Sequence, residues 1–129
     1  MKKIFPVYIS CFTICYLHCQ NIPAPVLQCV NNDAVNSNII LQWTNPGNPC
    51  GGTFNGYKIY VSASLNGNFS LVAIVPNESQ TSYTDIGRLS QGTQWYYYME
   101  ADYNCPGFQT LQSDTIPNAA PATPEIVAV

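Results

Sequence analysis

The sequence predicts an all-β protein built as a seven-stranded sandwich, and three observations support this. Residues that favour turns recur about every 8 to 12 residues, with β-branched and aromatic runs between them. Beyond residues 1–19, no stretch repeats its apolar residues with the helical period. The chain of 129 residues contains 10 Pro, 8 Gly and 9 Tyr, which fits a turn-rich β protein.

Residues that favour turns and loops separate the predicted strands. They cover residues 26–30, 38–44, 57–63, 69–75, 82–86, 95–103 and 111–116. Pro23 and Pro25 precede the first strand and suit an edge position. The run from Asn45 to Gly52 is rich in Pro, Gly and Asn and predicts a loop. Asn66-Gly67 predicts a tight turn between the third and fourth strands.

Side chains of a strand alternate between the two faces of its sheet, which predicts the core. In residues 95–103, Glu100 and Asp102 mark one face as solvated, and Tyr96 and Tyr98 share that face. The opposite face and the matching positions of the other strands form the core. The predicted core residues are Trp43, Tyr57, Ile59, Trp95, Tyr97 and Met99. Lys58 and Tyr60 alternate with Tyr57 and Ile59, and therefore point outward.

The first nineteen residues have the features of an export signal. Lys2 and Lys3 precede a largely apolar stretch, residues 4–17, that is too short to span a bilayer comfortably. We expect cleavage between Cys19 and Gln20, although acylation of Cys19 or an uncleaved anchor are alternatives. The signal peptide, residues 1–19, would engage the export machinery only. The prediction is an extracellular or cell-surface protein.

The charge of the chain excludes several partners. Only 9% of the residues are charged. From Gln20 onward, Lys58 and Arg88 stand against seven acidic residues, a net charge of −5. Such a surface does not attract nucleic acid or anionic lipid.

The residues also argue against catalysis and against a metal or cofactor. Cleavage after Cys19 removes His18, the only histidine, so neither a Ser-His-Asp triad nor a His-ligated zinc site can form. Glu100 and Asp102 have a spacing compatible with a glycosidase pair, but a solvated strand face offers no pocket to raise a carboxyl pKa. Asp33, Asp102 and Asn104 do not gather enough oxygens in one loop for calcium. We therefore expect no enzyme activity and no cofactor.

Residues 89–101, which read Leu-Ser-Gln-Gly-Thr-Gln-Trp-Tyr-Tyr-Tyr-Met-Glu-Ala, resemble a fibronectin type III pattern. Trp43 and the run from Gly56 to Tyr60 look like the core Trp and third strand of that family. The resemblance covers about residues 23–118 and implies an immunoglobulin-like, seven-stranded β-sandwich domain. Trp95 departs from the family, because a Tyr usually occupies the corner between the sheets. An indole can donate a hydrogen bond but lacks the phenol oxygen.

A finer resemblance concerns repeats in large surface proteins of gliding bacteria, which tend to carry a sorting domain for type IX secretion. It rests on the following residues and runs: Cys29-Val30, Trp43, Asn48-Pro49-Cys50-Gly51, Gly56 to Ser62, Trp95 to Tyr98 and Asn104-Cys105. It implies a secreted or surface-attached module. The chain contains no such sorting domain.

Three cysteines remain after cleavage, and in this sandwich they predict one disulfide. The loops after the second and sixth strands lie at the same end of the fold, with Cys50 in the former and Cys105 in the latter. A disulfide between Cys50 and Cys105 is therefore expected, and three reduced cysteines are the alternative. Cys29 lies two residues after Leu27, so we expect it on the core face as an unreactive thiol.

The tail, residues 119–129, resembles the start of the domain, because both are Pro-spaced entries into a short apolar run. It predicts a linker and the first strand of a following module, and a generic Pro-rich terminus is the alternative. The favoured function is a spacer in a tandem array that contacts neighbouring modules. The alternative is an adhesion module that binds a glycan or a surface protein. Its binding patch would consist of Lys58, Tyr60, Tyr96, Tyr98 and Glu100.

Overall fold

The computed structural model describes residues 20–92 and 94–118. The predictions made for residues 1–19 and 119–129, including the cleavage site and the start of a second module, lie outside this range. The strands are β1 (Asn21–Ile22), β2 (Val26–Asp33), β3 (Asn38–Thr44), β4 (Phe54–Ser62), β5 (Ser70–Val75), β6 (Ser82–Asp85), β7 (Tyr96–Tyr103), β8 (Gln109–Thr110) and β9 (Ile116–Pro117). A 3-10 turn covers Arg88–Gln91.

The strands form a β-sandwich, as the sequence predicted. One antiparallel sheet has the order β2-β3-β6, and the other has the order β5-β4-β7-β9. The two-residue strands β1 and β8 pair in parallel at the end of the sandwich where the chain enters. The two sheets pack with their apolar faces together, because a sheet with one apolar face is stable only when that face is buried against another element.

The core lies between the two sheets and follows the alternation of the strands. Ile39, Leu41 and Trp43 of β3 face Tyr57 and Ile59 of β4 across the interface. All are buried, as are Tyr97, Met99 and Ala101 of β7. The ring of Trp43 meets that of Tyr57 edge to face, with 5.3 Å between centroids. Aromatic pairs in this geometry add to the free energy gained from area burial alone.

Trp95 is the one predicted core residue that is only half-buried. It precedes β7, whose first residue is Tyr96, so the alternation of the strand does not fix its direction. Its ring packs against the rim of the core and carries the guanidinium of Arg88 at 4.8 Å from the centroid. Its backbone N–H donates to Asn118 Oδ1 at 2.7 Å. Trp95 therefore closes one end of the core and is not part of its centre.

The expectation that Cys29 faces the core is wrong, because β2 contains a β-bulge. The register shifts between Leu27 and Cys29, so Gln28 is an extra residue opposite β3. The shift reverses the direction of the following side chains, and Val30 takes the inward position. Cys29 is half-buried on the outer side, where its Sγ donates to Gln42 Oε1 at 3.4 Å.

The seventh predicted strand, residues 111–116, does not form as one strand. Residues 111–115 lie in no strand, and β8 and β9 flank them. The chain nevertheless follows the edge of β7, because Ser113 bonds to Met99 through both its backbone N–H and its Oγ, each at 2.9 Å.

The turn at Asn66-Gly67 also differs from the prediction. Residues 63–69 form a loop between β4 and β5, and within it Gly67 N–H donates to the carbonyl of Ser64 at 3.1 Å. The central residues of that turn are therefore Leu65 and Asn66. A two-residue hairpin would have placed β5 closer in sequence to β4.

Candidate functional site

The outer face of the four-stranded sheet carries the residues predicted as a binding patch. Tyr60 of β4 lies directly opposite Tyr98 of β7, and Lys58 lies opposite Glu100. Tyr96 is further along β7, opposite Ser62. All five patch residues are half-buried. Antiparallel pairing brings such cross-strand partners close enough to interact.

Tyr60 and Tyr98 pack against each other. Their rings are nearly parallel at 17°, with 4.7 Å between centroids. Phe69, from the loop before β5, packs against Tyr98 at 4.9 Å and 54°. The facing surfaces of the two tyrosines are therefore used within the protein. Tyr96 makes a separate contact, in which its hydroxyl donates to Gln94 Oε1 at 3.3 Å.

Two exposed aliphatic residues, which the alternation of the sequence does not predict, extend this surface. Leu71 and Ile74 of β5 are 48% and 51% exposed, and they pair with Tyr60 and Lys58 respectively. In a regular strand, residues three apart point to opposite faces. The register shift opposite Ile59 and Tyr60 makes Val72 an extra residue, which turns both Leu71 and Ile74 outward. We call Tyr60, Phe69, Leu71, Ile74, Tyr96, Tyr98 and Glu100 the outer-face patch.

The charges on this face are mostly paired. Lys58 Nζ lies 3.0 Å from Asp102 Oδ2. The hydrogen bond from this lysine to Asp102 raises the lysine pKa. Partial burial raises the pKa of Tyr60 and Tyr98, and the nearby negative charge of Glu100 raises both further. Glu100 belongs to neither ion pair found among the described residues.

The loops at one end of the sandwich are joined by the predicted disulfide. Cys50 and Cys105 form a disulfide with their Cα atoms 5.9 Å apart, which confirms the pairing. A hydrogen-bonded network lies in the same region. The hydroxyl of Tyr103 donates to Glu78 Oε1 at 2.8 Å, and the hydroxyl of Tyr57 donates to the Glu78 carbonyl at 2.7 Å. Burial, then the bond to Glu78, raises the pKa of Tyr103 to about 12.

The other end of the sandwich contains a buried carboxylate, which sequence reasoning did not single out. Asp85 Oδ2 accepts from the Tyr97 hydroxyl at 2.8 Å and from Arg88 Nε at 2.8 Å. Asp85 itself is 4% exposed. Arg88 in turn lies over the ring of Trp95. At the corner between the sheets, where fibronectin type III domains usually have a tyrosine, this chain has Trp95 packed on Arg88, which pairs with Asp85. The Nε1 of Trp95 has no hydrogen-bond partner within the described residues.

The acidic residues in the described part of the chain do not gather into a metal-binding cluster. Residues 20–92 and 94–118 contain no group of three His, Cys, Asp or Glu side chains that could hold a metal ion. Glu100 and Asp102 lie on the open face, and Asp102 is already paired with Lys58. No helix within these residues is long and apolar enough to cross a membrane.

Comparison with known proteins identifies the fold. No protein-family model matches the chain, and no curated protein matches it. Among solved structures, a Fn3-like protein from Clostridium thermocellum is similar at a TM-score of 0.59 and 24% identity, over 79% of this chain and 96% of that one. A structure of titin kinase and its flanking domains is similar at a TM-score of 0.54 and 20% identity, over 77% of this chain. This chain spans only 16% of the titin structure's length. The domain therefore has a fibronectin type III-like β-sandwich fold.

Proposed function

We propose that this protein is a non-catalytic module of a secreted or cell-surface protein, and that it spaces neighbouring modules in a tandem array. One observation carries the proposal: the chain enters and leaves at opposite ends of the sandwich. The Gln20 carbonyl accepts from Gln109 N–H at 3.0 Å, at the end that contains the disulfide. Asn118 bonds to Trp95 and Asn32 at the far end.

The separation of these ends suits a spacer. Strand β7 runs the length of the sandwich and has eight residues, about 26 Å at roughly 3.3 Å per residue. A module of this shape adds its full length to an array. The predicted export signal and the Cys50–Cys105 disulfide support a place outside the cytoplasm, since disulfides persist in oxidising compartments. The resemblance to repeats of gliding-bacterial surface proteins supports the same location.

Small-angle X-ray scattering tests the spacer function. Two mature chains fused head to tail should have a maximum dimension nearly twice that of one chain. A second fusion with ten added Gly and Ser residues at the junction serves as the control for linker length. A fused pair that is no longer than a single chain would show that the modules fold back on each other, and would contradict the proposal.

A second candidate function is binding through the outer-face patch. It is favoured by the exposed Leu71 and Ile74 beside the Tyr60–Tyr98 pair, since apolar patches on a solvated sheet face often mark interaction sites. Glycan-array and protein-capture binding by the wild type and by a Tyr60/Tyr96/Tyr98→Ala variant tests it. Equal binding by both proteins would argue against this face.

A further inference from the structure

The second candidate function leaves the chemistry of the partner open, and the charges of the domain restrict it. We propose that the outer-face patch binds a positively charged segment of another protein, which places apolar side chains against Leu71 and Ile74 and a Lys or Arg beside Glu100. This inference rests on the second candidate function, binding through that face.

Within residues 20–92 and 94–118, no basic side chain is without an acidic partner. In the described residues the basic side chains are Lys58 and Arg88, and each is in an ion pair, with Asp102 and Asp85 respectively. The described acidic residues outside those two pairs are Asp33, Glu78, Glu100 and Asp114. Charge complementarity across an interface therefore requires the partner to supply positive charge.

The negative charge and the apolar surface are adjacent on the same face. In the strand register, Ile74 lies opposite Lys58 and Lys58 lies opposite Glu100. The three residues therefore form one row across β5, β4 and β7. At about 4.8 Å between strands, Ile74 and Glu100 are roughly 10 Å apart. In an extended segment, side chains on one face are about 7 Å apart at i and i+2 and about 13 Å apart at i and i+4, and a Lys or Arg side chain is long enough to make up the difference. A partner needs only one apolar and one basic side chain at that spacing to contact both.

The geometry of the aromatic pair argues against a sugar as the main ligand. A sugar ring stacks on an open aromatic face, but Tyr60 and Tyr98 face each other at 4.7 Å and Phe69 packs on Tyr98. An anionic membrane surface would be repelled by the acidic domain. A second copy of this chain has the same excess of acid, so face-to-face pairing of two copies gains no charge complementarity.

Binding of model peptides to the purified protein tests the proposal. Three ten-residue peptides repeat Val-Ser-Xaa-Ser, where Xaa is Lys, Glu or Ser, so that Val and Xaa lie on one face of the extended chain. They are named the Val-Lys, Val-Glu and Val-Ser peptides, and a cello-oligosaccharide provides the sugar probe. Isothermal titration at 50 and 500 mM salt measures affinity, and backbone amide chemical shifts locate the site. We expect the Val-Lys peptide to bind most tightly, to shift residues of the outer-face patch, and to bind more weakly at high salt because exposed charges are screened.

Two variants and their matched controls separate charge from apolar contact. Glu100→Gln should weaken binding of the Val-Lys peptide about two- to fivefold, the range expected from loss of one exposed ion pair. Ile74→Ser should weaken it by about threefold or more, because it removes apolar area. Asp114→Asn and Val35→Ser make the same chemical changes at exposed positions off this face, and should leave affinity unchanged.

The outcomes distinguish this inference from the function on which it rests. If the Val-Glu peptide, the sugar or a second copy of the chain binds the outer-face patch as tightly as the Val-Lys peptide, binding through this face stands and the inferred partner chemistry is wrong. If no probe shifts the patch residues, the inference and the second candidate function both fail. The spacer proposal is independent of either result.

Discussion

Replacement of Asp85 by Ala should destabilise the domain more than loss of any exposed charge. The carboxylate is buried, and Oδ2 accepts two hydrogen bonds of 2.8 Å, from Tyr97 and from Arg88. Removing it leaves the Tyr97 hydroxyl buried without its partner and the Arg88 charge without its counter-ion. Burial and the bond to Asp85 already raise the pKa of Tyr97, so this hydroxyl stays protonated and needs an acceptor.

The expected cost follows from these contacts. Truncating one partner of a buried ion pair costs about 3 to 5 kcal/mol. The Arg88 side chain is 20% exposed and regains some hydration, which favours the lower end, about 3 to 4 kcal/mol. Tyr97→Phe should cost only about 1 to 1.5 kcal/mol, because Asp85 keeps its bond to Arg88. In the double variant Asp85→Ala/Tyr97→Phe, the loss of stability should be smaller than the sum of the two single losses, because both substitutions break the same hydrogen bond.

Urea unfolding followed by the fluorescence of Trp43 and Trp95 measures these values. With a slope of about 1 to 2 kcal/mol per molar urea, Asp85→Ala should lower the midpoint by about 1.5 to 4 M. Asp102→Ala is the matched control. Its ion pair with Lys58 is similar in length, at 3.0 Å, but both side chains are about one-third exposed. It should cost at most about 1 kcal/mol. Equal midpoints for the two Asp→Ala variants would refute the argument that burial decides the cost.

Three further predictions concern the cysteines and the tyrosine network. Replacing Cys50 and Cys105 by Ser together should cost about 4 kcal/mol in urea unfolding, because the bridge closes a loop with a sequence separation of 55; a loss below about 1 kcal/mol would contradict this. Cys29 is half-buried on the outer side, so a thiol reagent should modify it without denaturant, and full protection would place it back in the core. The free energy of unfolding should fall as the pH rises from about 10 to 12, because the Tyr103 hydroxyl loses its proton at a lower pH in the unfolded state than in the folded state. A Tyr103→Phe variant should therefore show a smaller fall in thermal midpoint over that range.

The alternation of the strands was predictable because it reflects local geometry. Tyr57, Ile59, Tyr97 and Met99 alternate with polar neighbours, and a period of two can only bury one face. The disulfide was predictable for a related reason, since the order of strands in the sandwich puts two loops at one end. The alternation follows from the spacing of apolar residues in the sequence. The disulfide follows from the order of strands that is typical of this type of sandwich.

The bulges and the outer face were decided by tertiary structure. One extra residue, Gln28, turned Cys29 outward, and another, Val72, placed Leu71 and Ile74 on the same side. A bulge arises from how two strands fit together, so neither strand's own pattern records it.

Local patterns in the chain predict an acidic, all-β domain with one core, and they predict an export signal in residues 1–19, which contain the only histidine, His18. The contacts within the core and on the surface depend on how the strands pair and how the sheets pack. Strand pairing and sheet packing place Asp85 Oδ2 within hydrogen-bond distance of Tyr97 and Arg88, and they set one ring face of Tyr60 against Tyr98. The physical reason is that alternation depends on the nearest residues of one strand, whereas these contacts join side chains from different strands and depend on register, which pairing alone fixes.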